Sequence, residues 1–130
     1  MLGFKEEDAL SEHSLPHHHG GIFEDKITAM PSAEDFGVVA DIFRILGDSS
    51  RIRIFWLLCH TEECVINISA LVNMSSPAVS HHLRQLKDAG LIVSRRVGKE
   101  VYYRASDREA AKVLHSMIEH LVKIACPSKI

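Results

Sequence analysis

Apolar residues recur every three or four positions through most of the chain after residue 31, a spacing that predicts a series of amphipathic helices. The first helix is predicted to begin at Ser32, whose hydroxyl can cap it, and to stop at Gly47. The second is predicted to begin with Asp48 or Ser49 as its cap. Their predicted apolar sides consist of Phe36, Val39, Phe43 and Leu46 in the first helix and Ile52, Phe55, Trp56 and Cys59 in the second.

A short third helix, from about Asn67 to Val72, is predicted to lead through a tight turn into a fourth. The start of the fourth is well marked, because Ser76 can accept a capping hydrogen bond and Pro77 stands where a missing N–H costs nothing. Gly90 then ends this helix in a left-handed conformation. The residues predicted to face the core are Ile68, Leu71 and Val72 in the third helix and Val79, Leu83 and Leu86 in the fourth.

Beyond residue 90 the apolar period shortens towards two, which is typical of β-strands. Residues 91–93 and 101–103 are rich in β-branched and aromatic side chains, and Gly98 between them can supply the positive φ of a hairpin turn. The sequence therefore predicts two strands joined by a basic tip that contains Arg95, Arg96 and Lys99.

A last helix is predicted to begin near Asp107. Its apolar stripe is broader than one expects of a terminal helix surrounded by water, so a partner subunit is predicted to cover part of it. The stripe consists of Val113, Leu114, Met117, Ile118, Leu121, Val122 and Ala125. The predicted fold class is therefore mainly α with a small β-hairpin (α+β), a winged helix-turn-helix of five helices and a two-stranded wing.

The composition fits one domain preceded by an arm. Residues 1–31 show little apolar periodicity and are predicted to form a mobile, histidine-containing arm, whereas residues 32–126 form the folded domain. Neither a signal peptide nor an apolar stretch long enough to cross a bilayer is evident. Three cysteines at irregular spacing fit a reducing compartment. A cytoplasmic protein without a membrane partner is expected.

The net charge of −2 is unevenly distributed along the chain. Residues 1–36 contain two lysines against eight acidic residues, a net of −6, whereas residues 77–104 contain six basic residues against two acidic ones, a net of +4. A basic cluster is ordinarily just a solvated surface. Here, however, the basic cluster begins in a capped helix pair and continues into a hairpin, and this order favours contact with DNA. The predicted DNA-binding residues are Ser75, Ser76, Ser80, His81, Arg84 and Gln85 on the fourth helix, with Arg95, Arg96 and Lys99 on the hairpin.

No catalytic arrangement is recognisable, so the chain is expected not to be an enzyme. Ser80, His81 and His82 are adjacent, and neighbours on a helix diverge by about 100°, which prevents them from converging on one substrate atom. Neither a phosphate-binding glycine loop nor a paired-carboxylate motif is visible in the sequence.

Three blocks of the sequence resemble the ArsR/SmtB family of winged-helix repressors: FRILGDSSRIRI at 43–54, SHHLRQLKDAGL at 80–91 and RRVGKEVYY at 95–103. The resemblance covers about residues 35 to 122. It implies a homodimer formed by the first and last helices, which binds a pseudo-palindromic double-stranded DNA operator. It also implies a repressor that an inducer, such as a metal ion, releases from the operator.

Family members commonly bind the metal at one of two places, and this chain retains part of each. At the start of the third helix Cys64 matches the first family thiol, but Ile66 and Asn67 replace the second thiol and the acidic ligand. Histidines of the arm are candidates to complete this site, and a mixed Cys/His set suits Zn²⁺ or another divalent transition metal. The candidate ligands are Cys64, His13, His17, His18 and His19.

The second family place lies on the last helix. Asp107, Glu109 and His120 stand at ligand positions there, whereas Lys123 occupies the fourth and cannot ligate while protonated. Three alternatives to metal sensing remain open: a repressor that responds to oxidation of Cys64, a repressor that responds to another signal, and a protein-interaction module that has lost DNA binding.

Overall fold

The computed structural model describes residues 16–17 and 27–126. From Ala33 onwards it contains five helices and three strands. In chain order they are α1 (Ala33–Ile45), α2 (Ser49–His60), β1 (Glu63–Cys64), α3 (Val65–Val72), α4 (Ser76–Asp88), β2 (Ile92–Val97), β3 (Glu100–Ala105) and α5 (Glu109–Ala125). The fold class, a winged helix-turn-helix of five helices, is confirmed.

The chain divides into two compact units, Met1–Ile42 and Phe43–Ile130. In the first, Ser32 caps α1 as predicted: its hydroxyl accepts a hydrogen bond from the Asp35 N–H at 3.1 Å, and the Asp35 carboxylate accepts one from the Ser32 N–H at 3.4 Å. Most of residues 1–31 lie outside the described residues, so the division into an arm and a domain of residues 32–126 stays a prediction.

The predicted hairpin is present, but its sheet contains a third strand that the sequence did not predict. The order is β1-β3-β2, and all neighbours are antiparallel. β1 pairs Glu63 with Tyr103 and Cys64 with Tyr102, and α3 follows at once from Val65, two residues earlier than expected. The two-stranded wing is therefore confirmed, and β1 is an addition to it that the sequence could not indicate, because a strand of two residues has no detectable period and depends on its partner.

The core of the second unit lies between α2, α3, α4 and the sheet. Val79, Leu83 and Leu86 of α4 are fully buried, as predicted. In α3 the prediction holds for Ile68 and Val72 but is wrong for Leu71, which is 55% exposed because a helix of two turns buries only one narrow face.

In α2 the predicted apolar side was partly wrong. The buried residues are Ile54, Phe55 and Leu58. Trp56 instead lies at the surface, where its indole N–H donates a hydrogen bond to the Glu119 carboxylate at 2.7 Å. A tryptophan combines a large apolar ring with one donor, so it can cover the core edge while its N–H is satisfied outside.

Helix ends agree with the sequence to within one or two residues. Asp48 caps α2 by accepting from the Arg51 N–H at 3.0 Å. The N-cap of α4 is Ser75 rather than Ser76, since its hydroxyl accepts from the Ala78 N–H at 3.3 Å. Gly90 adopts φ +78°, as its predicted left-handed role requires, and α5 begins at Glu109 rather than near residue 107.

The apolar stripe of α5 divides into two faces. Ala111 and Leu114 are buried within the protomer. The neighbouring face remains about half exposed and consists of Val113, Leu121 and Ile124. Single exposed apolar residues are ordinary, but a row of them along one helix marks an interaction surface. Within the described residues no helix is long and apolar enough to cross a membrane.

Candidate nucleic-acid interface

A tight turn joins α3 to α4 and sets the direction of α4. Asn73 ends α3 in the left-handed conformation, with φ 56° and ψ 51°, which asparagine tolerates better than most residues. The hydroxyls of Ser69 and Ser76 lie 3.2 Å apart and link the two helices across the turn. Because one side of α4 is fixed in the core, its opposite side is held rigidly towards solvent.

The solvent side of α4 presents hydrogen-bonding groups and one long cation. The predicted contact residues that are exposed there are Ser75, Ser76, Ser80, His81 and Arg84. The Ser75 hydroxyl is engaged in the helix cap, while Arg84 offers a planar guanidinium. Such a face, at the N-terminal and middle turns of an exposed helix, has the chemistry needed to reach phosphates and base edges in a major groove.

Gln85 is placed differently from the other predicted contact residues. It is half buried, and its side-chain oxygen accepts a hydrogen bond from the Arg51 guanidinium at 2.6 Å. Arg51 also donates to the backbone carbonyl of Ile45 at 2.6 Å, so it joins the end of α1 and the first turn of α2 to α4. Direct contact of Gln85 with DNA stays a prediction; in the protomer it positions α4.

Arg51 makes a further contact with His82, which the sequence did not single out. The Arg51 guanidinium lies 3.3 Å from Nδ1 of His82, and since arginine has no acceptor, this nitrogen must be unprotonated. Burial lowers the pKa of His82 below its ordinary value of 6.5, and the charges of Arg51 and His81 lower it further against the opposing effect of Asp48. The neutral imidazole therefore belongs, with Arg51 and Gln85, to a hydrogen-bonded cluster that supports α4.

We expect acidification to weaken the contact between Arg51 and His82 and so to lower the stability of the folded protein. Since the folded-state pKa of His82 is lowered, the unfolded chain binds the proton more readily. The contribution of His82 to stability is complete above about pH 6.5, its ordinary pKa, and declines as the pH falls below that value. His82→Asn, which retains an acceptor near the Nδ1 position but does not titrate, should reduce the loss of melting temperature between pH 7.5 and pH 5.5, roughly the range where imidazole titrates.

His81→Asn is the matched control, because His81 is the exposed neighbour on the same helix. It should retain most of the pH dependence of the wild-type melting temperature, because the charge of His81 has the smallest effect on the pKa of His82 among the causes named above. Identical pH profiles for wild type and His82→Asn would contradict the role assigned to His82.

In the wing, β2 and β3 form a tight hairpin with a two-residue turn. Val97 pairs with Glu100, and Gly98 between them adopts φ +64°, which glycine accommodates without strain. The tip carries the exposed Lys99, and Arg96 lies one pair below it, opposite Val101.

The three basic residues of the wing do not share one face. Successive residues of a strand point to opposite sides, so Arg96 shares the face of Ser94, whereas Arg95 lies on the other. Ser94 accepts a hydrogen bond from the Lys87 ammonium of α4 at 2.8 Å, which directs the Arg96 face towards α4. A groove of about 450 Å³ between α4 and the sheet is lined by Arg84 and Lys87, among others.

Arg95 is held on the far face by Glu62. Two guanidinium nitrogens donate to the two carboxylate oxygens at 2.7 Å each, and the guanidinium carbon lies 6.0 Å from the centre of the Tyr102 ring. This pairing lowers the pKa of Glu62 and raises that of Arg95, chiefly through their hydrogen bonds. The charge of Arg95 is thus compensated within the protomer, and its contact with DNA stays a prediction.

The candidate metal site at Cys64 is only partly described. Cys64 is buried in β1, Ile66 is exposed, and the Asn67 amide donates to Glu63 at 2.8 Å. No group of three or more close ligand atoms in the described part of the chain includes Cys64. His13, His18 and His19 lie outside the described residues, and His17 belongs to the other unit, so this site stays a prediction.

The second candidate metal site, at Asp107, Glu109 and His120, is not assembled within one protomer. Asp107 pairs with Arg104 at 3.6 Å, and the exposed Glu109 and His120 do not join it in a cluster within the described residues. A site shared between two subunits stays a prediction. The group of close ligand atoms that the described residues do contain consists of His60, His115 and Glu119, which the sequence analysis did not propose.

The thiols differ in accessibility. Burial raises the pKa of Cys59 to about 11, assisted by the negative charge of Glu119, so this thiol stays protonated near neutral pH. A protonated thiol is a weak nucleophile and a weak metal ligand. Cys64 is buried and Cys126 exposed, and all three are free thiols.

Comparison with known proteins relates this chain to transcriptional regulators. Residues 48–94 match the family described as bacterial regulatory protein, arsR family. The chain is 37% identical over 83 residues to a transcriptional repressor SmtB homolog of Synechocystis sp., which is 64% of this chain and 63% of the relative. It is 33% identical over 88 residues to a cadmium resistance transcriptional regulatory protein CadC homolog of Staphylococcus aureus, which is 67% of this chain and 73% of that protein.

Solved structures share the fold. The homodimeric winged helix-turn-helix DNA-binding domain of a possible ArsR-family regulator from Mycobacterium bovis aligns with a TM-score of 0.63 and 28% identity, covering 70% of this chain and 83% of that one. Reduced HlyU from Vibrio cholerae aligns with a TM-score of 0.60 and 26% identity, covering 72% and 94%. The family match over residues 48–94 includes α4, which carries the exposed polar face described above.

Proposed function

The chain belongs to the ArsR family of bacterial regulatory proteins, DNA-binding transcriptional regulators rather than enzymes, and from that premise we propose that it is a homodimeric repressor released from its operator by a metal ion. The observation that carries the proposal is the rigid polar face of α4 beside a wing whose Arg96 side faces the same helix. In this arrangement α4 enters a major groove, and Arg96 and Lys99 contact the adjacent phosphates.

Two observations support the dimer. The Mycobacterium bovis domain is described as homodimeric, and the exposed apolar face of α5 is of the kind that a second subunit covers. A two-fold axis presents two copies of α4 to the same side of a duplex. The operator is therefore a pseudo-palindrome whose half-sites lie about one helical turn apart.

A metal effector is supported by the relatives and by ligand chemistry. The Staphylococcus aureus relative is a cadmium resistance regulator by name, and a Pseudomonas putida relative is an arsenic resistance regulator. The candidate ligands of this chain at the family positions are Cys64 with the arm histidines, and Asp107, Glu109 and His120. Thiolate and imidazole groups suit Zn²⁺ or Cd²⁺, and release follows if the metal prefers the form that fits DNA less well.

The test begins with selection of binding duplexes from a random-sequence pool. Enrichment of a two-fold symmetric sequence, followed by loss of binding when Zn²⁺ or Cd²⁺ is added, is the expected result. Failure to enrich any sequence contradicts DNA recognition. Enrichment without a response to any divalent ion contradicts only the effector.

Because Arg95 and Arg96 lie on opposite faces of the wing, we predict that they contribute unequally to the salt dependence of DNA binding. Arg96→Ala combined with Lys99→Ala should weaken binding to every duplex and reduce the slope of log Kd against log salt by about 1.8, since each lost phosphate contact removes about 0.9. Arg95→Ala should reduce the slope by clearly less than about 0.9, the value for one full phosphate contact, because Glu62 already compensates that charge. Fluorescence anisotropy over a salt series measures both slopes, and a reduction of about 0.9 in Arg95→Ala would contradict this assignment.

A further inference from the structure

Three ligand side chains meet where the C-terminal end of α2 lies beside α5. His60 is the last residue of α2, and His115 and Glu119 are one turn apart on α5. Nε2 of His60 lies 3.1 Å from Nε2 of His115, and each of these nitrogens lies 3.3 Å from Oε2 of Glu119. The three atoms form a nearly equilateral triangle at the half-exposed surface of the protomer.

The size of this triangle matches one face of a tetrahedral metal site. An ion bound at 2.0–2.1 Å by nitrogen and oxygen ligands places those ligand atoms about 3.3–3.4 Å apart. The observed separations of 3.1–3.3 Å need only a few tenths of an ångström of adjustment. Two imidazoles and one carboxylate are a ligand set that Zn²⁺ accepts, with the fourth position open to water.

Hydrogen bonds alone cannot pair all three of these atoms favourably. A neutral imidazole carries one N–H, so if both Nε2 atoms are protonated, two donors face each other at 3.1 Å. If only one is protonated, the other presents its lone pair to the Glu119 carboxylate at 3.3 Å, and two acceptors face each other. A single cation at the centre satisfies all three atoms at once.

Neighbouring residues hold the carboxylate and one imidazole in place. The Trp56 indole N–H donates to the same Glu119 oxygen at 2.7 Å, and the Trp56 ring lies 4.1 Å from that of His60, centre to centre. Outer contacts of this kind orient metal ligands. His60 is exposed, and His115 also lines a cleft of about 350 Å³, so the cluster lies at the surface of the protomer.

We propose that His60, His115 and Glu119 form a binding site for a divalent transition ion such as Zn²⁺ within each subunit. The site is separate in sequence from Cys64 and from Asp107, Glu109 and His120, and it needs no residue of a second subunit. A bound ion fixes α5, which carries the exposed apolar face, to α2, whose first turn supports α4 through Arg51. It thereby connects the dimerisation helix to the DNA-facing helix.

The chain provides its own reporter for this site, because Trp56 is its single tryptophan and contacts Glu119 and His60. We expect Zn²⁺, titrated into the full chain after chelator treatment, to change the Trp56 emission in a saturable way. Co²⁺ should quench that emission and produce the intense visible absorption of a tetrahedral cobalt site.

Variants assign the signal to its ligands. His115→Gln and Glu119→Gln should each raise the Zn²⁺ dissociation constant more than roughly 10-fold, since even outer-shell changes commonly cost 10–100-fold. Glu119→Gln retains an oxygen acceptor for Trp56, which protects the fold. His120→Gln on the same helix and Cys64→Ser are the matched controls, and both should retain the wild-type titration.

Circular dichroism confirms that each variant is folded, and the exposed His60→Gln replaces any variant that is not. A wild-type response in the folded ligand variants, or its loss in His120→Gln or Cys64→Ser alone, would overturn the proposal. The assay contains no DNA, so its outcome is separate from that of the operator selection.

Discussion

Leu121→Asp is expected to turn the protein into a folded monomer that no longer binds an operator with high affinity. Leu121 is 50% exposed on the free apolar face of α5, so its replacement leaves the protomer core intact. A charge without a partner in a dry interface costs at least about 3 kcal/mol, which is a factor of roughly 100 in the dimer dissociation constant. A monomer contacts one half-site and loses the affinity that the second half-site supplies.

The mass in solution, from light scattering or sedimentation, and the far-ultraviolet circular dichroism together check this result. Ser116→Asp introduces the same charge at an exposed polar position of the same helix and should remain a dimer. A dimeric Leu121→Asp would show that the face packs elsewhere. Leu114→Asp, which the sequence alone suggests, is unsuitable because Leu114 is buried within the protomer and its replacement disrupts folding itself.

The example of Leu114 shows what periodicity can and cannot predict. The seven apolar positions of α5 are readable as one stripe, but their division into a face towards the protomer and a face towards solvent depends on where the rest of the protomer, including α2, lies. Elements with a long, regular pattern, such as α4, were predicted with their buried residues. β1 was not, because its two residues become a strand only by pairing with Tyr102 and Tyr103.

The same limit applies to the candidate sites. The exposed face of α4 follows from its buried stripe, since residues opposite the stripe must face outwards. The pairing of Arg51 with Gln85 and of Arg95 with Glu62 joins residues 34 and 33 positions apart, and nothing local indicates it. His60 and His115 are separated by 55 positions, so their cluster could not be recognised from ligand spacing.

Arg84→Ala is expected to reduce operator binding far more than binding to random duplex. Among the predicted contact residues of α4, Arg84 is the exposed one that carries a planar, bidentate donor. A bidentate contact to a base contributes about 1–3 kcal/mol of discrimination, which corresponds to an increase of roughly 5–150-fold in operator Kd. On random duplex Arg84 contributes only its positive charge, so the Kd of Arg84→Ala for random duplex should rise by a much smaller factor.

Arg84→Lys separates charge from geometry, because lysine keeps the positive charge but lacks the planar pair of donors. It should bind random duplex with nearly wild-type affinity and still discriminate poorly in favour of the operator. Competition assays with labelled operator and unlabelled random duplex at one fixed salt concentration measure this ratio. If Arg84→Ala weakens binding to both duplexes by the same factor, Arg84 contacts phosphate alone, and Ser80 and His81 become the next candidates for base recognition on the exposed face of α4.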